Sequence, residues 1–233
     1  MTVQLKQIHN LGSRQEALID RGFTLEMVRV TEAAARAAAR EVGQQKAANI
    51  EAAAAKAMLR ALNDVGFCAQ IVTGCDGDTE SRSLPIGQLV GAFAHSTAEF
   101  DIAVEPIDGT GLAMKGMPDA ISALALGQRK SLLPVPNMPM LKLAAGRQLD
   151  LTKFDLLMQP KAIIAQAAEQ LRSNPQELVI AMLTPESSPE QAALVEKMQA
   201  TGARIRLMSE ADIAGCVATA LPRQKIDLFY GIG

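Results

Sequence analysis

The chain has 233 residues and a formal net charge of −2, which argues against a dedicated nucleic-acid-binding protein. Aromatic residues make up only 3% of it and tryptophan is absent, so the core must be aliphatic. No uncharged apolar run reaches the roughly 18 residues of a membrane span, no export signal is evident, and three scattered cysteines are typical of the reducing cytoplasm.

The beginning of the chain predicts a lead-in followed by two alanine-rich helices. Residues 1–24 are weakly patterned, and we interpret them as an N-terminal extension, either a surface element or an arm that packs on a partner. Apolar residues recur at helical spacing over residues 25–42, and a second segment rich in alanine, the best helix former, covers residues 45–63.

An acidic, glycine-containing stretch follows a predicted strand at residues 66–72. Asp76, Asp78 and Glu80 alternate with other residues, as at the start of a Ca²⁺-binding loop. The full twelve-residue pattern of such a loop is absent. The stretch therefore supplies carboxylates without specifying a calcium site.

The stretch at residues 101–110 carries the strongest chemical signal in the chain. A short β-prone strand is predicted to run into a turn with two carboxylates three residues apart, Glu105 and Asp108. Gly109 permits backbone conformations that other residues resist, and Thr110 offers a hydroxyl. Hard cations such as Mg²⁺ prefer carboxylate oxygens, and a flexible backbone lets N–H groups approach an anion. The motif thus predicts either a metal and phosphate site or an ordinary strand-end turn.

The remainder of the chain alternates strands with helices, which predicts the α/β class. A buried strand is expected at residues 120–126, and further segments follow in alternation. These are strands at 179–183, 203–208 and 226–233, a helix at 190–201, and a helix that ends at Leu221 before a proline.

Several phrases of the chain are similar to one known family. The motif at 105–110 resembles the Asp-Pro-Ile/Leu-Asp-Gly-Thr metal-binding motif of the lithium-sensitive, metal-dependent phosphatase superfamily. Arg-Val-Thr-Glu-Ala-Ala-Ala at 29–35, the glycine-alanine-leucine pattern at 116–127 and Tyr-Gly-Ile-Gly at 230–233 follow in the order found in class II fructose-1,6-bisphosphatase. The chain is thereby identified as resembling that family over residues 25–233.

The resemblance implies a layered sugar-phosphatase-type fold with mixed sheets and flanking helices, lacking the family's C-terminal part. We expect an extension at 1–24, a metal-binding α/β part at 25–145 and a second α/β part at 146–233. The implied activity is that of a phosphoric monoester hydrolase in carbohydrate metabolism, using Mg²⁺ or Mn²⁺. It would remove the 1-phosphate of fructose 1,6-bisphosphate, and sedoheptulose 1,7-bisphosphate is a second expected substrate.

The resemblance also implies roles for individual residues. The implied metal ligands are Glu105 and Asp108, with Asp76 and Asp78 as further candidates. The implied catalytic residues are Asp108 and Thr110. The implied substrate contacts are Gly109, Thr110, Glu210 and Asp212. The expected association is a homo-oligomer or a complex with a full-length paralogue, with neither nucleic acid nor membrane as a partner.

Five departures from the family pattern weaken the implied activity. Gln45 and Cys75 stand where the family has metal-binding carboxylates, and the family's C-terminal active-site glutamate lies beyond residue 233. Pro139 replaces a tyrosine that contacts substrate, and Glu186 replaces an arginine that binds phosphate. Glu51 offers a compensating carboxylate, although we interpret it as a surface residue.

Two hypotheses about function therefore remain open. One is a working metal-dependent sugar phosphatase, and the other is a non-catalytic relative that acts as a binding or assembly partner. A third possibility is that the chain is a fragment of a longer product.

Overall fold

The computed structural model describes residues 23–44, 46–74, 84–135 and 138–233. The predictions on Gln45, Cys75, Asp76 and Asp78 fall outside these ranges. So does the proposed N-terminal extension, apart from its last two residues.

The described residues form two four-stranded mixed sheets and six α-helices, which confirms the predicted α/β class and layered architecture. The elements of the first part are α1 (Thr24–Ala39), α2 (Ala47–Asn63), β1 (Ala69–Thr73), β2 (Leu89–Val90), β3 (Phe100–Asp108), α3 (Thr110–Met114) and β4 (Ile121–Gln128). Those of the second part are β5 (Leu141–Ala145), α4 (Pro160–Leu171), β6 (Val179–Leu183), α5 (Pro189–Gln199), β7 (Arg204–Met208), α6 (Asp212–Ala218) and β8 (Leu228–Ile232).

The first sheet has the strand order β2-β1-β3-β4, with β1 and β3 parallel and the other pairs antiparallel. Helices α1 and α2 pack together over this sheet because each carries buried apolar residues at helical spacing. On α1 these are Val30, Ala34 and Ala38. Small side chains at these positions let the helices approach closely.

Three phenylalanines close one end of this core. Phe23, Phe67 and Phe100 meet edge to face, with ring centroids 5.6–6.1 Å apart. Such pairs contribute about 0.5–1.5 kcal/mol beyond the burial of their area. A chain with few aromatic residues thus places half of its six phenylalanines in one cluster.

The second sheet has the order β5-β8-β6-β7, with β6 parallel to both β7 and β8. Alternate residues of β6 face opposite sides, as the two-residue period of a strand requires. Ile180 and Met182 pack with α4 and α5, whereas Ala181 and Leu183 pack in a separate cluster with Phe229 and α6 residues. The sheet is therefore covered on both faces.

The short helix α6 joins the two halves of the structure. It packs on the second sheet through Gly215, where an added Cβ would lie 2.7 Å from the Phe229 ring. Its first backbone amides bond to the end of β3 in the first sheet. The carboxyl end of β3 and the start of α6 are thereby held side by side, and the candidate site lies there.

Two predictions about strands need correction. The strand predicted at 101–104 extends to Asp108, because Pro106 lies where the pairing with β4 shifts register and therefore does not interrupt the strand. The strand predicted as buried near 120–126 is β4, which is only partly buried because it is the outer strand of its sheet.

The first sheet ends with β4 at Gln128 and the second begins with β5 at Leu141. The division of the chain at residue 145 remains a prediction. Within the described residues, no helix combines the length and the apolar character needed to cross a membrane.

Replacing Gly91 by alanine should destabilise the fold more than the same change at Gly87. Both glycines have positive φ, +109° and +91°, so either substitution incurs the left-handed backbone cost of roughly 1–2 kcal/mol. At Gly91 the new Cβ would also collide with the backbone oxygen of Phe67, whereas at Gly87 nothing lies within 4 Å. We therefore expect the Gly91 variant to lose about 1–3 kcal/mol more of its free energy of unfolding than the Gly87 variant, as measured by urea unfolding. Equal losses in the two variants would contradict this packing.

Candidate active site

The two carboxylates of the central motif lie at the end of β3, beside the start of α6. Oδ2 of Asp108 accepts hydrogen bonds from the backbone N–H groups of Ile213, at 3.0 Å, and Ala214, at 3.3 Å. These amides have no partners within α6, so the carboxylate caps the helix from another sheet. Asp108 is thus fixed in orientation by backbone atoms.

The hydroxyl of Thr110 faces α2. Its Oγ1 donates to Oε1 of Glu51 at 3.3 Å, in a half-buried position. The interpretation of Glu51 as a surface residue is therefore wrong. The 59 residues that separate the two hide the contact from local sequence patterns, and the only available signal was the need for a carboxylate to compensate Gln45.

A further carboxylate, that of Glu210, lies against the turn after β3. Its Oε2 accepts the backbone N–H of Gly111 at 2.8 Å. A Cβ at residue 111 would collide with this carboxylate, so glycine is required for the contact. Gly109 adopts φ +87°, the left-handed conformation that the sequence predicted it would permit.

Asp212 is the first residue of α6 and forms an ion pair with Lys142 of β5. The side chain of Asp212 is 14% exposed and that of Lys142 is 35% exposed, so the pair is largely shielded from water. A Cβ on Gly233 would lie 2.7 Å from Oδ2 of Asp212, so Gly233, directly after β8, lies close against the Asp212 carboxylate. Sequence reasoning placed Asp212 in the site but gave Lys142 no role.

The carboxylates influence one another electrostatically. Burial, reinforced by repulsion from Asp108, Asp212 and Glu51, raises the pKa of Glu105 to about 7. Burial and the charge of Asp212 raise the pKa of Asp108 to about 6, against the opposing effects of the α6 amides and of Lys142. Negative charge is therefore concentrated in a region that disfavours it.

The second sheet adds residues from the carboxyl ends of its parallel strands. Glu186 follows β6, Glu210 and Asp212 follow β7, and Gly233 follows β8, so all lie toward one edge. Ligands of open α/β sheets commonly bind at such an edge. Glu186 and Pro139 are both exposed.

The donor groups of the site suit a divalent metal ion only as a pair of carboxylates. In the ranges that the structure describes, no group of three or more His, Cys, Asp or Glu side chains is arranged to hold a metal ion. Magnesium, however, is commonly bound by one or two carboxylates, with substrate phosphate and water completing its octahedral shell. Glu105 and Asp108 fit that pattern, while Asp212 is engaged by Lys142.

Comparison with known proteins gives consistent matches. A family model described as bacterial fructose-1,6-bisphosphatase, glpX-encoded, matches residues 21–233. Fructose-1,6-bisphosphatase class 2 of Haemophilus influenzae is 34% identical over 215 residues, covering 92% of this chain and 63% of the relative. Fructose-1,6-bisphosphatase 1 class 2 of Escherichia coli strain K12 is 32% identical over 213 residues, covering 91% of this chain and 62% of the relative. The chain thus spans less than two thirds of the length of either relative.

Proposed function

The chain belongs to the bacterial glpX-encoded fructose-1,6-bisphosphatase family, and we propose that it is a divalent-metal-dependent hydrolase of a sugar bisphosphate. The proposed reaction is removal of the 1-phosphate of fructose 1,6-bisphosphate by water, giving inorganic phosphate and a sugar monophosphate. The observation that carries the proposal is the Glu105 and Asp108 pair at the end of β3, inside a site rich in carboxylates.

In this proposal Glu105 and Asp108 hold Mg²⁺ or Mn²⁺, and Asp76 and Asp78 are further candidate ligands outside the described residues. When bound, the metal polarises the phosphoryl group and lowers the pKa of the attacking water. The role of Asp108 is supported by its two bonds from α6 amides, which hold one carboxylate oxygen in place.

Other residues of the site bind and orient the substrate in the same proposal. Thr110 follows Asp108 by two residues and presents a hydroxyl, and Glu51 orients that hydroxyl by accepting its hydrogen bond. Gly109 lets the backbone turn sharply away from β3, and Glu210 fixes the turn through Gly111. Asp212 lies beside this turn, where a carboxylate can accept hydrogen bonds from sugar hydroxyls.

Two positions predict weak substrate binding. Pro139 has neither hydroxyl nor aromatic ring to place against a sugar phosphate. Glu186 puts a negative charge near the edge where the resemblance implies an arginine, which reverses the sign of the interaction with phosphate. Both changes weaken binding of the substrate itself. We therefore expect them to raise KM more than they lower kcat.

The alternative function is that of a non-catalytic relative that associates with itself or with a full-length paralogue. The negative charge of Glu186 and the exposed Pro139 favour it, since both remove substrate contacts that the resemblance implies. Light scattering of the chain alone and mixed with the paralogue would measure such association.

The proposal is tested by phosphate release from fructose 1,6-bisphosphate, and from sedoheptulose 1,7-bisphosphate, with Mn²⁺, with Mg²⁺ and with a chelator. We expect release that depends on the metal and that saturates only at high substrate concentration. Absence of both turnover and metal-dependent thermal stabilisation would contradict the enzymatic proposal and support the non-catalytic one.

A further inference from the structure

Lys142 brings a positive charge into a site otherwise dominated by carboxylates. It lies in β5, opposite Gly231 of β8, and reaches across the sheet end to Asp212 at the start of α6. The lysine and aspartate are 70 residues apart in sequence, so the fold alone brings them together. The pair is more shielded from solvent than a surface ion pair, and its attraction is correspondingly stronger.

The charges around this pair are unbalanced. Asp108 accepts the amides of Ile213 and Ala214, the two residues after Asp212, so its carboxylate lies beside the start of α6 where Asp212 is held. Lys142 is bonded to Asp212 at this point and sets one positive charge against the neighbouring carboxylates. A tethered ammonium group therefore performs part of the neutralisation that a divalent cation would otherwise perform.

We propose that Lys142 is an internal counter-cation that occupies the Asp212 side of the site and competes there with a divalent metal ion. The inference rests on the proposed metal site at Glu105 and Asp108. Lys142 thereby controls how strongly the site binds metal. Its amine repels a nearby cation, and it also keeps the Asp212 carboxylate engaged in the ion pair.

The arrangement favours competition over a purely structural role. Asp212 is already placed by the α6 backbone and by Gly233, which closes against its carboxylate. Asp108 also has its own two amide donors and does not depend on Lys142 for orientation. Loss of the lysine charge should therefore leave the carboxylates near their present positions while freeing one of them.

The test is calorimetric titration of the full chain with Mn²⁺ in the absence of substrate. Lys142→Met removes the charge but keeps an unbranched side chain of similar length, and Lys142→Arg retains the charge. We expect Lys142→Met to bind Mn²⁺ about tenfold more tightly than the wild type, equivalent to about 1.4 kcal/mol. Lys142→Arg should bind as the wild type does.

Two further variants secure the interpretation. Lys142→Gln supplies a neutral polar side chain in case the methionine variant does not fold, and it should show the same gain. In the double variant Lys142→Met with Asp212→Asn, the gain should largely disappear because the freed carboxylate is gone. Unchanged or weaker Mn²⁺ binding by folded neutral variants would overturn the inference.

These outcomes are distinct from failure of the proposed function. If neutral variants gain Mn²⁺ affinity but no variant hydrolyses sugar bisphosphates, Lys142 is a counter-cation in a site that does not catalyse. If the wild type hydrolyses with Mn²⁺ but the neutral variants show no gain in affinity, the proposed function stands and the competition does not.

Discussion

Asparagine in place of Asp108 should lower Mn²⁺-dependent release of phosphate from fructose 1,6-bisphosphate by at least about 10²-fold. An amide is neutral and binds Mg²⁺ or Mn²⁺ far more weakly than a carboxylate. The remaining side-chain oxygen can still accept the N–H groups of Ile213 and Ala214, which now bond to Oδ2. The substitution therefore separates metal binding from helix capping.

The measurements are the rate of phosphate release and the shift in melting temperature on adding Mn²⁺. Both should fall in the Asp108→Asn chain, while its stability without metal should match or exceed that of the wild type, because burial and Asp212 disfavour the charge that is removed. Asp64→Asn, an exposed change at the end of α2, is the matched control and should alter neither. Asp108→Ala removes the cap as well and should cost about 1 kcal/mol of folding stability. Full activity in Asp108→Asn would exclude Asp108 as a metal ligand.

Gln191→Met should lower the free energy of unfolding by roughly 2–4 kcal/mol. Gln191 is fully buried in α5 and is bonded to two strands. Its Nε2 donates to the carbonyl of Leu183 at 2.7 Å, and its Oε1 accepts the N–H of Ile232 at 2.9 Å. Methionine fills similar space but leaves two strand-end backbone groups without these partners.

Urea unfolding checks this prediction, with Gln199→Met as the control. Gln199 is exposed at the end of the same helix, so the control should change stability by no more than about 0.5 kcal/mol. Gly231 also lies against the Gln191 amide, and loss of the amide should loosen β8 in particular. Faster hydrogen exchange at Ile232 in the Gln191→Met chain would confirm that β8 is loosened. Equal stability of the Gln191→Met and Gln199→Met chains would contradict the prediction.

Most of the fold could be predicted because its signals are local. The helix expected at 25–42 is Thr24–Ala39, and the strand expected at 179–183 has those bounds. The strand carrying the motif was predicted too short because a proline usually ends pairing, and here a register shift accommodates it. The edge position of β4 depends on sheet order, which no local pattern specifies.

The candidate site could be predicted only in part. The motif identified Glu105 and Asp108 because carboxylates at close spacing beside a glycine are visible in a single segment. The bond of Thr110 to Glu51 and the ion pair of Lys142 with Asp212 join segments 59 and 70 residues apart. Such contacts arise from the packing of α2 on β3 and of α6 on the second sheet, so only the folded chain reveals them.

Phosphorus NMR of the purified chain with Mn²⁺ and fructose 1,6-bisphosphate would show which phosphate leaves. We expect loss of the 1-phosphate signal and growth of inorganic phosphate, with the 6-phosphate signal retained. The same incubation with the Asp108→Asn chain should show little change. Identical spectra for the two chains would contradict the claim that Glu105 and Asp108 form the metal site of a sugar bisphosphatase.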